Sequence, residues 1–206
     1  MSVRVFLARH GETEWNAEHR LQGRTDTRLS PRGEAHAREL AALLAGEPIA
    51  AIYTSTLRRT RDTARPLAAE LGLEVQPRPE MDEMSYGVLE GRQPQDPDPA
   101  IQALFAARKA DRMGFRAPGG ETYAEVLARV LPFANELRAR HAQGTVLVIG
   151  HRATNRVLWS VLMERPLEEC FALKHKHEQV LEIRPGPVPQ CTDRRYGIAA
   201  PEAREL

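Results

Sequence analysis

The chain predicts an α/β fold, a three-layer sandwich whose mainly parallel central sheet carries helices on both faces. Short apolar runs alternate with stretches of helical pattern along most of its length, as strand–helix–strand units do. Three of those runs end abruptly in polar residues with chemical capability: Arg9-His10-Gly11, Ser55 through Arg59, and Gly150-His151. Buried parallel strands deliver the residues after them to one carboxyl edge of the sheet, so the three clusters are expected side by side. Right-handed crossovers complete the expected topology.

The first strand ends at Arg9, and residues 12–30 are polar and rich in turn formers such as Gly23 and Asp26. Ser30 before Pro31 starts a helix, which strong helix formers carry from 35 to 45, up to Gly46. A short strand covers 49–53. The hydroxyls of Thr54, Ser55 and Thr56 are the expected caps of a helix that ends near Leu71 at Gly72, with a kink or early break at Pro66. A third strand covers 73–76. Prolines 77, 79, 94, 97 and 99 make the segment 77–99 an ordered loop or lid, with a helix after it over 100–112. A second loop, 113–120, precedes a long amphipathic helix over 121–142, with Val126, Val130, Phe133 and Leu137 on one face and a bend expected at Pro132. The run 145–149 is the most strand-like in the chain, a helix passes through Trp159 and Leu162, and a last strand covers 179–183. From Arg184 onward, proline and glycine predict a peripheral tail that adds no core. One domain is expected over 1–206, with 77–123 inserted over the sheet edge and 184–206 as that tail.

With 29 basic and 28 acidic side chains the formal charge is +1, which speaks against a nucleic-acid or membrane surface as partner. Two cysteines imply neither a disulfide framework nor a thiolate metal site, and with no leader pattern a cytoplasmic setting is expected. No apolar run approaches the roughly 20 residues that span a bilayer. His175 and His177 would share a strand face, but two histidines without a third ligand do not make a metal site, so no metal and no cofactor is expected. His19, His36 and His141 lie in polar surroundings and are expected to face solvent. Oligomeric state is open; a homodimer is the candidate assembly, although no long apolar stripe marks an interface.

Two histidines and several arginines at one edge describe an anion pocket, and guanidinium forks suit phosphate best. The P-loop pattern with its lysine is absent. Arg58 and Arg59 are helix neighbours pointing about 100° apart, so only one of them can enter the pocket.

Arg9-His10-Gly11-Glu12-Thr13 with Asn16 resembles the signature of the histidine phosphatase superfamily, also called phosphoglycerate mutase-like. Ser55-Thr56-Leu57-Arg58-Arg59 with Thr63-Ala64 is similar to its second block, Glu83 with Gly87 and Glu90-Gly91 to its third, and Gly150-His151 to its fourth. The resemblance runs in order over residues 3–183. It implies that His10 is the nucleophile that takes a phosphoryl group and that Arg9, Asn16, Arg59 and His151 grip its oxygens. Glu83 would protonate the leaving oxygen and later activate water. Phosphoryl transfer needs positioning and charge stabilisation, and four donors would here do what magnesium does elsewhere. A histidine nucleophile must be neutral at the attacking nitrogen, so the other nitrogen should donate to an acceptor such as a backbone carbonyl.

Mutases of the superfamily resemble the chain at Tyr86 and Gly87, but they hold their substrate carboxylate with side chains that are here Met84 and Pro94, and a threonine of theirs is here Gln22. The resemblance therefore implies a metal-independent phosphatase acting on a small phosphorylated metabolite through a phosphohistidine, with a cofactor-dependent phosphoglycerate mutase or a fructose-2,6-bisphosphatase-like sugar bisphosphatase as the alternatives. A non-catalytic phospho-ligand binding protein ranks last, because His10 and Glu83 are both in place. The segment 115–123, residues 151–156 and the stretch 173–183 resemble the fructose-2,6-bisphosphatase branch, and Arg156 matches an arginine that contacts the distal phosphate there. Gly119 and Arg152 depart from that branch, which loses one cation and adds another. Gln22, Gly23, Tyr86, Arg116, Arg152 and Arg156 are the substrate-binding candidates.

Overall fold

The computed structural model describes residues 2–196. Its single six-stranded sheet has the order β3-β2-β4-β1-β5-β6, with β1 at Arg4–Arg9, β2 at Ile49–Thr54, β3 at Val75–Pro77, β4 at Thr145–Gly150, β5 at Gln179–Arg184 and β6 at Gln190–Arg195. The first four strands run parallel; β5 is antiparallel to β1, and β6 is antiparallel to β5. β1 and β4 lie inside the sheet and are covered on both faces, which is why they read as continuous apolar runs. Along β1, Val5 and Leu7 enter one core while Phe6 and Ala8 enter the other. The first core is completed by α5 (Tyr123–Arg140) and α6 (Arg152–Leu162) through Val126, Val130, Phe133 and Val157, the second by α2 (Pro31–Leu44) and α3 (Arg58–Leu71) through Leu40, Leu44 and Leu67. Each fully buried leucine or valine contributes about 1.5–3 kcal/mol by leaving water, so the two layers hold the sheet edge rigid. A short helix α1 (Glu14–Ala17) and α4 (Pro99–Ala110) complete the helices.

Neither helix proline breaks its helix. α3 passes through Pro66 because Ala64, Leu67 and Ala68 pack on both sides of it, and α5 passes through Pro132, whose exposed position leaves the lost backbone bond facing water. The cap of α3 also differs from expectation. Thr54 ends β2, Leu57 occupies the cap position without a side-chain bond, and Asp26 from a distant loop accepts the Arg58 amide at 2.7 Å. α2 begins as expected, with Ser30 Oγ accepting the Gly33 amide at 3.1 Å.

The tail is a correction. Residues 190–195 form the edge strand β6, and Tyr196 is buried in the second core. Arg194 joins Glu47 and Glu182, which also bind Arg4 of β1, so the edge is fastened by charge where its polar sequence offers no apolar alternation. Residues 197–206 lie outside the described residues. Two histidines expected in solvent are elsewhere: His36 is fully buried on the α2 face that holds Ala37 and Leu40, and half-buried His141 sits 2.8 Å from the Tyr53 hydroxyl. His19 is exposed.

Candidate active site

Parallel pairing of β1 with β4 sets Arg9 opposite Gly150, and the His10 amide donates to the Gly150 carbonyl at 3.0 Å. The residues just past the two strand ends, His10 and His151, are thereby brought together with ring centroids 5.1 Å apart. Gly11 then turns the chain against α2; a side chain there would meet the Gly33 carbonyl at 2.4 Å.

His10 Nδ1 lies 2.8 Å from the Gly11 carbonyl. A carbonyl only accepts, so Nδ1 carries the proton and Nε2 keeps its lone pair. Burial, reinforced by Arg59, His151 and Arg9, holds the His10 pKa well below the usual histidine range. His151 is neutral for the same reasons, burial first and then Arg59 and Arg9. Its Nδ1 accepts from Arg59 Nε at 3.2 Å, so its Nε2 donates to Ser55 Oγ at 2.8 Å.

Arg59 is fully buried, whereas Arg58 is exposed and paired with Asp62. The remaining bonds of Arg59 run to backbone carbonyls, to Thr25 at 3.0 Å and to Gly23 at 2.6 Å. Two of its five N–H groups have no hydrogen-bond partner among the described residues, although Nη1 also forms an ion pair with Asp26 at 3.7 Å. Arg9 Nε is buried with no partner among the described residues, and burial, with Arg152 next, lowers the Arg9 pKa to about 10. Glu83 sits at the N-terminus of α6, where its carboxylate accepts from the Ala153 amide at 3.2 Å, the Thr154 amide at 3.4 Å and the Met84 amide at 2.8 Å. Asn16 spends its Oδ1 on the Thr13 amide, leaving its amide nitrogen uncommitted among the described residues.

Arg9, His10, Asn16, Gln22, Arg59, Glu83, Tyr86 and Arg152 line one cavity of about 120 Å³. Gln22 is held by Thr13 and Thr27, and Gly23 takes part only through its carbonyl. A larger groove, about 720 Å³ along α3 and β3, contains no histidine, and the chemistry gathers in the smaller cavity. Beside it, a second cavity of about 380 Å³ shares Tyr86, Arg108 and Arg152 with the first and adds Lys109, Arg112, Arg156, Phe171 and Lys174. Arg156 is buried there, its Nε donating to the Leu173 carbonyl at 3.0 Å. Arg116 does not line either cavity: it is exposed and forms an ion pair with Glu125 at 2.7 Å.

Arg108, Arg112 and Lys174 were not candidates from sequence. The four-residue spacing of Arg108 and Arg112 puts them on one helical face, the one local signal that pointed to them. His175 and His177 are in a loop instead of on a strand face: His175 bridges Asn155 and the Gln179 carbonyl, and His177 Nδ1 donates to the His10 carbonyl. Among the described residues, no cluster of three or more His, Cys, Asp or Glu side chains is placed to hold a metal ion. Nor is any described helix long and apolar enough to cross a membrane.

Fold and cavity together define a class, α/β proteins that set a neutral histidine beside buried arginines at the carboxyl edge of the sheet. The chain belongs to the histidine phosphatase superfamily (branch 1), whose model matches residues 5–188. It is 35% identical over 88% of its length to a fructose-2,6-bisphosphatase of Saccharomyces cerevisiae, covering 39% of that protein. To phosphoserine phosphatase 1 of Hydrogenobacter thermophilus it is 34% identical over 82% of its length, covering 81% of that protein. It spans only about a quarter of a 6-phosphofructo-2-kinase/fructose-2,6-bisphosphatase of Arabidopsis thaliana, which it matches at 32% identity over 94% of its own length, covering 26% of that protein. Among solved structures, the α-ribazole phosphatase of Shigella flexneri superposes with a TM-score of 0.85 at 26% identity, over 94% of this chain and 96% of that one.

Proposed function

We propose that the chain is a metal-independent phosphatase that hydrolyses phosphomonoesters of small metabolites through a phosphohistidine at His10. The observation that carries this is the His10 tautomer. Nδ1–H is tied to the Gly11 carbonyl, and the lone pair of Nε2 belongs to a cavity walled by Arg9, Arg59 and Asn16. Nε2 attacks phosphorus as the bond to the leaving oxygen breaks, and protonated Glu83 gives that oxygen its proton. Ionised Glu83 then takes a proton from water, the water oxygen forms a bond to phosphorus, and the P–N bond breaks to release phosphate and neutral His10. The free N–H groups of Arg59 and the unpartnered Nε of Arg9 suit the charge that builds on the equatorial oxygens.

The neighbouring cavity supports a substrate with a second anionic group, because Arg108, Arg112, Arg152 and Lys174 surround it and none of its lining residues is a carboxylate. We read 77–123 as the roof, because Glu83, Tyr86 and Arg108 from this segment line the same cavity as His10. The mutase reading lacks the ligands for a substrate carboxylate next to Glu83, where Met84 is buried in the core. In the assay, the wild type should release phosphate from p-nitrophenyl phosphate and from sugar phosphates in the presence of chelator, and acid quench should trap an acid-labile phosphoenzyme. His10→Ala should show neither. Substantial turnover by His10→Ala overturns the reading, as does faster isomerisation of a phosphorylated sugar acid than release of phosphate from it.

A further inference from the structure

Glu90 lies outside the cavity, yet its carboxylate is saturated with donors from two other segments. Its Oε1 accepts from the Arg24 amide at 3.1 Å and the Tyr86 amide at 3.0 Å, and its Oε2 from the Thr25 amide at 2.8 Å and the Thr25 hydroxyl at 2.6 Å. One carboxylate therefore joins the 23–25 loop to the segment that carries Glu83 and Tyr86. Its own backbone is anchored, since the Gly91 amide donates to the Leu21 carbonyl and the Leu21 amide to the Arg92 carbonyl, both at 2.8 Å. The fit is close: a side chain at residue 23 would meet Glu90 Oε1 at 2.2 Å, so glycine is needed for the approach. Burial pushes the Glu90 carboxyl up, but the donors from Thr25, Arg24 and Tyr86 more than offset it and leave the pKa below the usual carboxylate range.

The loop that Glu90 holds is the loop that holds Arg59. The carbonyls of Gly23 and Thr25 take one N–H from each terminal nitrogen of the guanidinium, and His151 takes the Nε–H. A planar fork with three of five N–H groups fixed has no rotational freedom left, so its last two point wherever the loop directs them. We infer that Glu90 is a positioning residue: by clamping the 23–25 loop it aims the two free N–H groups of Arg59 at the transferring phosphoryl group. This rests on the phosphatase reading above. Glu90 touches no reacting atom; it removes the reorganisation that Arg59 would otherwise undergo when the oxyanion binds.

The test is a double-mutant cycle on the full chain, reading orthovanadate and phosphate affinity by calorimetry, kcat and KM for p-nitrophenyl phosphate, and Tm. Glu90→Gln turns one acceptor oxygen into a donor facing N–H groups, and should weaken oxyanion binding and kcat by about 10-fold each. Thr25→Val deletes only the hydroxyl bond and should shift both in the same direction by less. In an Arg59→Met background, Glu90→Gln should add less than about 2-fold, because its effect passes through the arginine. A full-size effect of Glu90→Gln in that background, or wild-type affinity and kcat in the single variant, overturns the inference. Should Glu90→Gln not fold, Thr25→Val carries the test, and wild-type oxyanion affinity in it overturns the inference. If Arg59→Met alone binds phosphate like the wild type, the phosphatase reading itself fails; loss in Arg59→Met without coupling to Glu90 removes only the role of Glu90.

Discussion

His175 makes the pH dependence of stability calculable for one residue. It is 2% exposed, its Nε2 donates to the Gln179 carbonyl at 3.0 Å, and its Nδ1 accepts from Asn155 at 3.2 Å. Both ring nitrogens are thus committed in the neutral form, and burial lowers its pKa from 6.5 to about 4. Below pH 6.5 the unfolded chain binds a proton here that the folded chain refuses until about pH 4, so stability falls as pH falls through that window. The contribution is complete above the unfolded value and gone below the folded one. At about 1.4 kcal/mol per pKa unit the whole window is worth about 3 kcal/mol, of which about 2 kcal/mol is lost between pH 7 and pH 5. His175→Gln keeps a donor for the Gln179 carbonyl and removes the titration. Urea unfolding at pH 7 and pH 5 should show the variant losing about 2 kcal/mol less than the wild type over that interval, whatever its stability at pH 7. Equal losses in the two proteins would refute the burial argument, since the other histidines are common to both.

Three further outcomes are expected. Gly87→Ala puts a side chain at φ 52° with its Cβ 2.0 Å from the Pro118 carbonyl oxygen; it should cost about 1–3 kcal/mol by thermal unfolding and raise KM by displacing Tyr86. Arg152→Gln removes a cation that lines both cavities. Its KM should rise about 10-fold for sugar bisphosphates and much less for p-nitrophenyl phosphate, measured as paired steady-state kinetics. Arg194→Met cuts the bonds from β6 to Glu47 and Glu182, and because Arg194 is about a third exposed the loss should be only about 1 kcal/mol in urea unfolding, with faster amide exchange in β6.

The central part of the fold and the ends of its strands were legible because they depend on local pattern. An apolar run such as 145–149 has to be buried on both faces, and in a parallel sheet its direction decides where Gly150 and His151 go. The edge strand β6 was not legible: Gln190–Arg195 has no apolar alternation, and its place is set by backbone pairing with β5 and by Arg194 reaching Glu182 on that strand and Glu47 far away in sequence. The buried His36 was missed for a related reason. Helical periodicity does put it on the Gly33, Ala37 and Leu40 face, but its polar neighbours in sequence hid that face.

By itself, then, the sequence determined that Arg9, His10, one of the pair Arg58 and Arg59, and His151 meet at one sheet edge, because strand direction is a local property; the choice of Arg59 came from the family resemblance. Only the tertiary structure decided which further cations attend them. Arg116 pairs with Glu125 while Arg108, Arg112 and Lys174 ring the second cavity, and the path of 77–123 makes that choice through glycines at positive φ and backbone bonds across the loop. The same holds for the aim of Arg59, which is set by two carbonyls more than thirty residues away and by the glutamate that holds them. Contacts of that length depend on how loops pack on a finished core, and no local periodicity encodes them.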